Sequence, residues 1–195
     1  METGRYWVYE VTEQEFPLGA GPLRRTYQFR ERLEALPDGP SGQKNFRVLR
    51  YRRSLEGQPW QPDSAFILTR QEHLILRTER NVSYLMLVLY ATEGIRWNGN
   101  AYNFLDSDDY EVRNLGRTFS VTNQSFPETV TVIQQNDSTR VSQDRRLQVY
   151  ARNVGLIYQE IIRLQFCTSQ PSCIGKGQID YGIRQWVRIR EYGIQ

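Results

Sequence analysis

Hydrophobic and polar side chains alternate along most of this 195-residue chain. In the segment 23–33 the apolar positions fall on one face: Leu23, Tyr27, Phe29 and Leu33. Arginines and other polar residues occupy the opposite face. A strand sends successive side chains to opposite faces, so this period predicts an antiparallel strand with one buried face. The last run, 179–190, repeats the pattern and places Trp186 on the face that carries arginines.

The same alternation predicts a series of strands separated by short turns. They are expected near 5–12, 23–33, 45–54, 64–70, 73–79, 83–90, 117–122, 128–135, 145–152, 155–167 and 179–190. Clusters of Gly, Pro, Asn and Asp lie between them and mark the turns. No segment of ten or more residues has the period of a helix. The pattern therefore predicts an all-β protein with few or no helices.

The chain is expected to form one domain over residues 1–195, because it has no linker, internal repeat or low-complexity segment. A sheet of ten or more strands exposes too much surface if it stays flat. We expect an antiparallel meander that curls into a barrel or half-barrel, with a folded-over sandwich as the alternative. Residues 98–116 are predicted to be a long loop, and loops of that length are usually functional or partly disordered.

Composition narrows the class of partner. No segment approaches the roughly 18–20 apolar residues of a membrane-spanning helix. The net charge is +3, with 23 Arg against 2 Lys and 22 acidic residues. Nucleic-acid binding needs basic residues gathered into a patch, whereas here they are spread over nearly every strand. Nucleic acid is therefore not expected as a partner.

The two cysteines, Cys167 and Cys173, flank a short loop that contains turn-forming residues. A zinc site would need further ligands, and the single histidine, His73, has no partner at metal spacing. A structural disulfide is the favoured interpretation, and it would add roughly 2 kcal/mol of stability. It indicates an oxidising compartment, the periplasm or the exterior of the cell.

Candidate chemistry is sparse. His73 alternates with apolar neighbours as an ordinary strand residue would, and no nucleophile elbow or phosphate-binding loop accompanies it. Asp106, Asp108 and Asp109 offer closely spaced oxygen ligands of the kind that calcium takes, but they do not match an EF-hand. A solvated acidic loop is the favoured interpretation, and calcium binding stays open. No catalytic residue, cofactor or metal site is predicted.

Aromatic residues are the remaining candidates for binding. Trp97, Tyr102 and Trp186 are predicted as contacts for a glycan or an apolar ligand. The alternative is that the aromatic side chains pack the core and cover strand edges.

Three segments in order resemble a group of uncharacterised envelope lipoproteins of Bacteroidota. The segments are Gly4-Arg-Tyr-Trp-Val-Tyr-Glu10, Glu93-Gly-Ile-Arg-Trp-Asn-Gly-Asn-Ala-Tyr-Asn103 and Tyr150-Ala-Arg-Asn-Val-Gly-Leu-Ile-Tyr-Gln-Glu160. The resemblance implies an exported, lipid-anchored β domain whose anchor cysteine lies outside this sequence. It implies no catalytic residue, and the two-cysteine loop is not part of the shared pattern.

Together these features predict an envelope protein, periplasmic or at the outer surface, with a non-enzymatic binding or assembly role. An apolar ligand, a glycan or an envelope protein is the expected partner, and the membrane is reached by a lipid anchor only. Two alternatives stay open: a hydrolase that uses carboxylates, and a purely structural envelope protein that pairs through exposed strand edges. The oligomeric state does not follow from the sequence.

Overall fold

The structure, a computed structural model, describes residues 2–195. Twelve strands follow one another: β1 (Arg5–Phe16), β2 (Leu23–Ala35), β3 (Lys44–Arg53), β4 (Gln61–Gln71), β5 (Leu74–Glu79), β6 (Val82–Val88), β7 (Arg96–Asn98), β8 (Asp109–Val121), β9 (Gln124–Ser138), β10 (Ser142–Ala151), β11 (Gly155–Phe166) and β12 (Ile179–Ile194). A single 3-10 turn lies at Pro40–Gly42. The described residues contain no helix that is long and apolar enough to span a membrane.

All twelve strands belong to one antiparallel sheet, and its order follows the chain. The order is β6-β5-β4-β3-β2-β1-β12-β11-β10-β9-β8-β7. The first and last strands pair with each other, in a register that runs from Arg5 opposite Ile194 to Phe16 opposite Gly182. Both ends of the chain therefore lie in the middle of the sheet. The prediction of an all-β, single curled antiparallel sheet is confirmed.

The edges of the sheet, β6 and β7, meet in a short contact that we call the seam. The Leu85 N–H donates to the Gly99 carbonyl at 2.8 Å, and the Trp97 indole N–H donates to the Leu85 carbonyl at 3.0 Å. The Asn103 amide adds a bond of 2.8 Å to the Ser83 carbonyl. These bonds take the place of a continuous ladder, so the sheet is nearly closed into a barrel.

The inward faces of the strands form the core, in which aromatic and β-branched side chains predominate. Its buried members are Trp7, Tyr9, Val11, Phe29, Leu33, Phe46, Val48, Phe66, Val121, Phe126, Val149, Ala151, Ile157, Val187 and Ile189. The predicted alternation is confirmed in the later part of β2, where Phe29 and Leu33 are buried, whereas Leu23 at the start of the strand is exposed like its neighbour Arg24. Trp186 lies on the opposite face from Val187, with the Arg188 guanidinium 6.0 Å from its ring.

The long loop predicted over 98–116 is only partly a loop, and this expectation was wrong in extent. Strand β8 already begins at Asp109, because Tyr110 and Val112 point into the core and Val112 pairs with Val132 of β9. This alternation is hard to recognise in the sequence, because Tyr110 and Val112 have polar neighbours. Positive φ angles at Asn114 and Gly116 coincide with a register shift, which interrupts the strand without ending it.

Gly182 makes a close backbone approach in the β11–β12 ladder. A Cβ added there would lie 2.2 Å from the Arg163 carbonyl oxygen, and φ is +139°. We expect Gly182→Ala to lower the free energy of unfolding by about 3 kcal/mol, because overpacking and backbone strain add. Urea unfolding followed by circular dichroism measures this loss.

The matched control is Gly19→Ala, where φ is also positive at +72° but nothing lies within 4 Å of the added Cβ. It should cost about 1 kcal/mol from backbone conformation alone. Equal losses in the two variants would contradict the close approach at Gly182.

Candidate ligand-binding cavity

A cavity of about 1150 Å³ occupies the interior of the curled sheet. Its wall is built from every strand except β7, together with residues of the turns that follow β6 and β10. Pockets for small molecules usually measure about 300–1,000 Å³, so this space is large enough for a sizeable organic ligand. The twelve-stranded curvature produces it, because the interior side chains do not fill so wide a ring.

One part of the wall is aromatic and fixed by hydrogen bonds. The Trp7 indole N–H donates to the Val154 carbonyl at 2.7 Å, and the Tyr9 hydroxyl donates to the Leu156 carbonyl at 3.0 Å. Both acceptors belong to the chain around the β10–β11 turn. The polar ends of the two rings are satisfied, so their apolar faces are presented to the cavity.

A cluster of charged side chains lies against two further rings of the wall, Phe29 and Phe66. The Arg50 guanidinium contacts a Glu31 carboxylate oxygen at 2.6 Å and lies 4.5 Å from the centre of the Phe29 ring. Burial lowers the pKa of Arg50, but the adjacent Glu31 outweighs it and the net direction is upward. Arg77 lies 3.9 Å above the ring of Phe66. The cationic side chains are therefore held in place on aromatic faces.

The wall formed by β10 and β11 is polar but neutral. The Tyr150 hydroxyl donates to the Gln148 side-chain oxygen at 2.6 Å, and the Gln148 amide donates to the Gln159 side-chain oxygen at 3.0 Å. Gln148 is buried, so this chain satisfies polar groups that would otherwise cost free energy. The cavity thus combines an apolar lining with a few fixed polar groups, which is typical of ligand sites.

Arginine outnumbers acidic residues in the cavity wall. Its charged members are Arg5, Arg50, Arg52, Arg70, Arg77, Arg152, Glu31, Asp63 and Glu128. Three of the arginines form ion pairs, with Glu31, Glu79 and Glu128. Within residues 2–195, the carboxylates lie more than 4 Å from the other three, Arg5, Arg52 and Arg70. The cavity therefore carries an excess of positive charge.

The cavity extends along the strands toward both ends of the sheet. Arg52 and Asp63 line it beside the β3–β4 connection, and Tyr90 and Asn153 line it at the opposite end. Tyr90 is 89% exposed, so this end opens to solvent.

The aromatic residues proposed from the sequence as ligand contacts do not form one group, because Trp97 and Tyr102 lie in or just after β7 whereas Trp186 lies on β12. Trp97 lies at the seam, where its ring packs edge-on against Tyr110 at 6.0 Å. Tyr102 is exposed in the turn after β7, and Trp186 is on the outer face of β12. None of the three lines the cavity. Their proposed role as a joint contact surface finds no geometric support, although each stays a prediction by itself.

Of the three closely spaced aspartates, Asp106, Asp108 and Asp109, one forms an ion pair. Asp108 accepts two bonds from the Arg146 guanidinium, at 2.8 and 3.0 Å, and Asp109 accepts one from the Ser107 hydroxyl at 3.1 Å. In the part of the chain that the structure describes, no three His, Cys, Asp or Glu side chains are grouped for metal binding. His73 lies in the β4–β5 turn and not in a strand, with its side chain 53% exposed.

Cys167 and Cys173 form the predicted disulfide in the loop between β11 and β12. Their Cα atoms are 5.8 Å apart, and both residues are buried. The bond closes the start of this loop next to the end of β11.

The charged interior was not predicted from the sequence. Arg50 and Arg52 continue the inward face that Phe46 and Val48 begin in β3, so the period of two contained the signal. Arginine on a strand usually indicates a solvated face, and this general tendency concealed it.

Comparison with known proteins adds little. No family model matches the chain, and no curated protein matches it. Among solved structures, a DUF1329 family protein from Desulfovibrio piger aligns over 99% of this chain and 86% of its own, at 11% identity. The TM-score is 0.21, which is too low to carry an argument about fold or function.

The buried tyrosines predict a loss of stability at alkaline pH. Burial raises the pKa of Tyr9 and of Tyr150, and burial together with the nearby Asp108 raises the pKa of Tyr110 to about 12. In the unfolded chain tyrosine ionises near pH 10. The contribution of these buried, protonated tyrosines to the free energy of unfolding is therefore complete below about pH 10 and is lost as the pH rises toward 12.

The loss is the difference between the free energies of unfolding by urea at about pH 8 and at about pH 11. Tyr110→Phe should make this difference smaller by about 1 kcal/mol, because at pH 11 Tyr110 is ionised in the unfolded chain but still protonated in the folded protein. The control is Phe119→Leu, which removes a half-buried aromatic ring that has no hydroxyl group to ionise. An identical alkaline loss in wild type and Tyr110→Phe would contradict the burial of this phenol.

The disulfide gives a second stability prediction. Replacing Cys167 and Cys173 by serine should lower the free energy of unfolding by about 2 kcal/mol, because the unfolded chain regains the freedom of the closed loop. Dithiothreitol should produce the same loss in wild type and none in the double variant. Two free thiols in denatured, unreduced protein from an oxidising preparation would contradict the bond.

Proposed function

We propose that this protein is an exported envelope protein that binds an apolar or amphipathic ligand inside its curled sheet, without catalysis. The observation that carries the proposal is the cavity of about 1150 Å³, with Trp7 and Tyr9 among its walls. A fold that only needs stability gains nothing from such a space, because unfilled volume costs packing energy. Binding is the function for which this geometry is suited.

The two alternatives are less well supported. A carboxylate-dependent hydrolase needs two acids facing each other across a substrate. In the cavity wall, Glu31 and Glu128 are each engaged by an arginine, which leaves Asp63 by itself. A structural protein that pairs through strand edges needs a long free edge; the seam already occupies part of the edges of β6 and β7, and such pairing has no use for the cavity.

The cellular location is part of the proposal. The disulfide between Cys167 and Cys173 supports an oxidising compartment, since such bonds are rare in the cytosol. The resemblance to envelope lipoproteins of Bacteroidota supports a lipid anchor outside this sequence. A ligand with apolar surface suits that location, because it would otherwise have to cross water between membranes.

Occlusion of the cavity tests the proposal. N-phenyl-1-naphthylamine, an uncharged dye that fluoresces in apolar surroundings, should bind wild type. Leu87, which is half-buried and lines the cavity, is replaced by tryptophan to occupy part of the space. We expect the dye to bind about tenfold more weakly, because a cost of 1–3 kcal/mol is usual when a filled space must accept extra atoms.

Leu18→Trp is the matched control, since Leu18 is 70% exposed in the β1–β2 connection and does not line the cavity. It should bind the dye as wild type does. Folding of both variants is checked by circular dichroism. Absence of dye binding to wild type, or equal binding by the two variants, would rule out the cavity as a binding site.

A further inference from the structure

We infer that the ligand of this cavity is an acyl chain with an anionic head group, a carboxylate or a phosphate, and that Arg52 binds the head. This inference rests on the proposed function and specifies the chemistry of the same site. It follows from the distribution of charge in the wall and from the surroundings of Arg52.

The charged side chains of the cavity wall have a net positive charge. The acids Glu31 and Glu128 are each neutralised by an arginine of the wall, and Arg77 is neutralised by Glu79. Among the described residues, this leaves three arginines of the wall, Arg5, Arg52 and Arg70, and one aspartate, Asp63, outside any ion pair. A cavity with this excess attracts an anion and repels a cation.

Arg52 is the best placed of the three arginines. Its guanidinium lies 3.7 Å above the Tyr27 ring, which orients it by a cation–π contact, and the residue is half-buried. Arg70 is exposed at the opposite end, where water weakens its attraction. Arg5 already donates to the Asn153 carbonyl at 2.7 Å. Arg5 keeps a buried Nε without a partner, but of the three only Arg52 is held on an aromatic face, partly shielded and without any hydrogen bond to an acceptor among the described residues.

The tail of the ligand follows from the apolar part of the wall. From the aromatic rings beside Arg52 the lining continues to aliphatic side chains near the other end of the cavity: Leu68, Ile75, Met86, Leu87 and Leu89. An extended chain that starts at Arg52 would bury its methylene groups along this surface, and each buried methylene adds favourable free energy. A glycan would place many hydroxyl groups there without partners.

Three amphiphiles of equal chain length test the inference: palmitate, hexadecanol and hexadecyltrimethylammonium. Each is titrated below its aggregation concentration against bound N-phenyl-1-naphthylamine. We expect palmitate to displace the dye at a concentration about tenfold or more below that of hexadecanol, because a charge-assisted bond is added. The cationic probe should be the weakest. Added salt should narrow the difference between the three.

The variant Arg52→Gln should remove most of the preference for palmitate over hexadecanol, and Arg52→Lys should retain a large part of it. The matched control is Arg53→Gln. Arg53 is the next residue in β3 but faces the other side of the sheet, where it donates to Gln28 and lies over Trp60. It should leave the preference unchanged. Hexadecanol affinity reports whether each variant keeps its cavity.

The outcomes separate the two proposals. If all three amphiphiles bind equally, or if the preference survives in Arg52→Gln, the anionic class or the role of Arg52 is wrong while dye binding still supports a cavity for apolar ligands. If neither dye nor amphiphile binds, both proposals fail. Competition between palmitate and vesicles of phosphatidylglycerol distinguishes a free fatty acid from a phospholipid as the source of the head group.

Discussion

The pairing of β1 with β12 is the constraint on which the rest of the structure depends. Without it the chain would form two six-stranded meanders, each with a long unpaired edge and an exposed inner face. Contacts such as Tyr9 opposite Ile189, which are 180 residues apart in sequence, join them into one sheet. A sheet of this width can curve until β6 reaches β7 and still enclose a large interior. The cavity is thus a consequence of how the two ends of the chain meet.

The interior contains both apolar side chains, which stabilise the fold by burial, and charged side chains, whose burial costs free energy. Aromatic side chains supply the burial that stabilises the fold, yet arginine and glutamate share the same faces. Their desolvation is offset locally, since Arg50 has both a carboxylate partner and two ring faces. Those charged groups occupy fixed positions, so they keep the interior from collapsing into a purely apolar core. We regard this arrangement as the physical reason that the space stays open to a polar-headed ligand.

The sequence predicted the fold class well, because a period of two is a local property that each strand carries by itself. Phe29 and Leu33 point inward as their alternation required. The start of β8 was missed because Tyr110 and Val112 lie among aspartates and arginines, so the apolar signal is short. The cavity was missed for a different reason. Its wall joins residues from eleven strands, and their meeting depends on curvature, which no local pattern records. Trp97 and Trp186 attracted notice by residue type, whereas the structure separates them.

The most direct test of this account is a crystal structure of the protein with a palmitate that carries bromine at its terminal carbon. Anomalous scattering locates the bromine without reference to any assumed binding mode. We expect a single peak inside the sheet, near Ile75 and Leu87, with density for the carboxylate beside Arg52. A bromine peak on the outer surface, or an interior filled by repacked side chains, would contradict it.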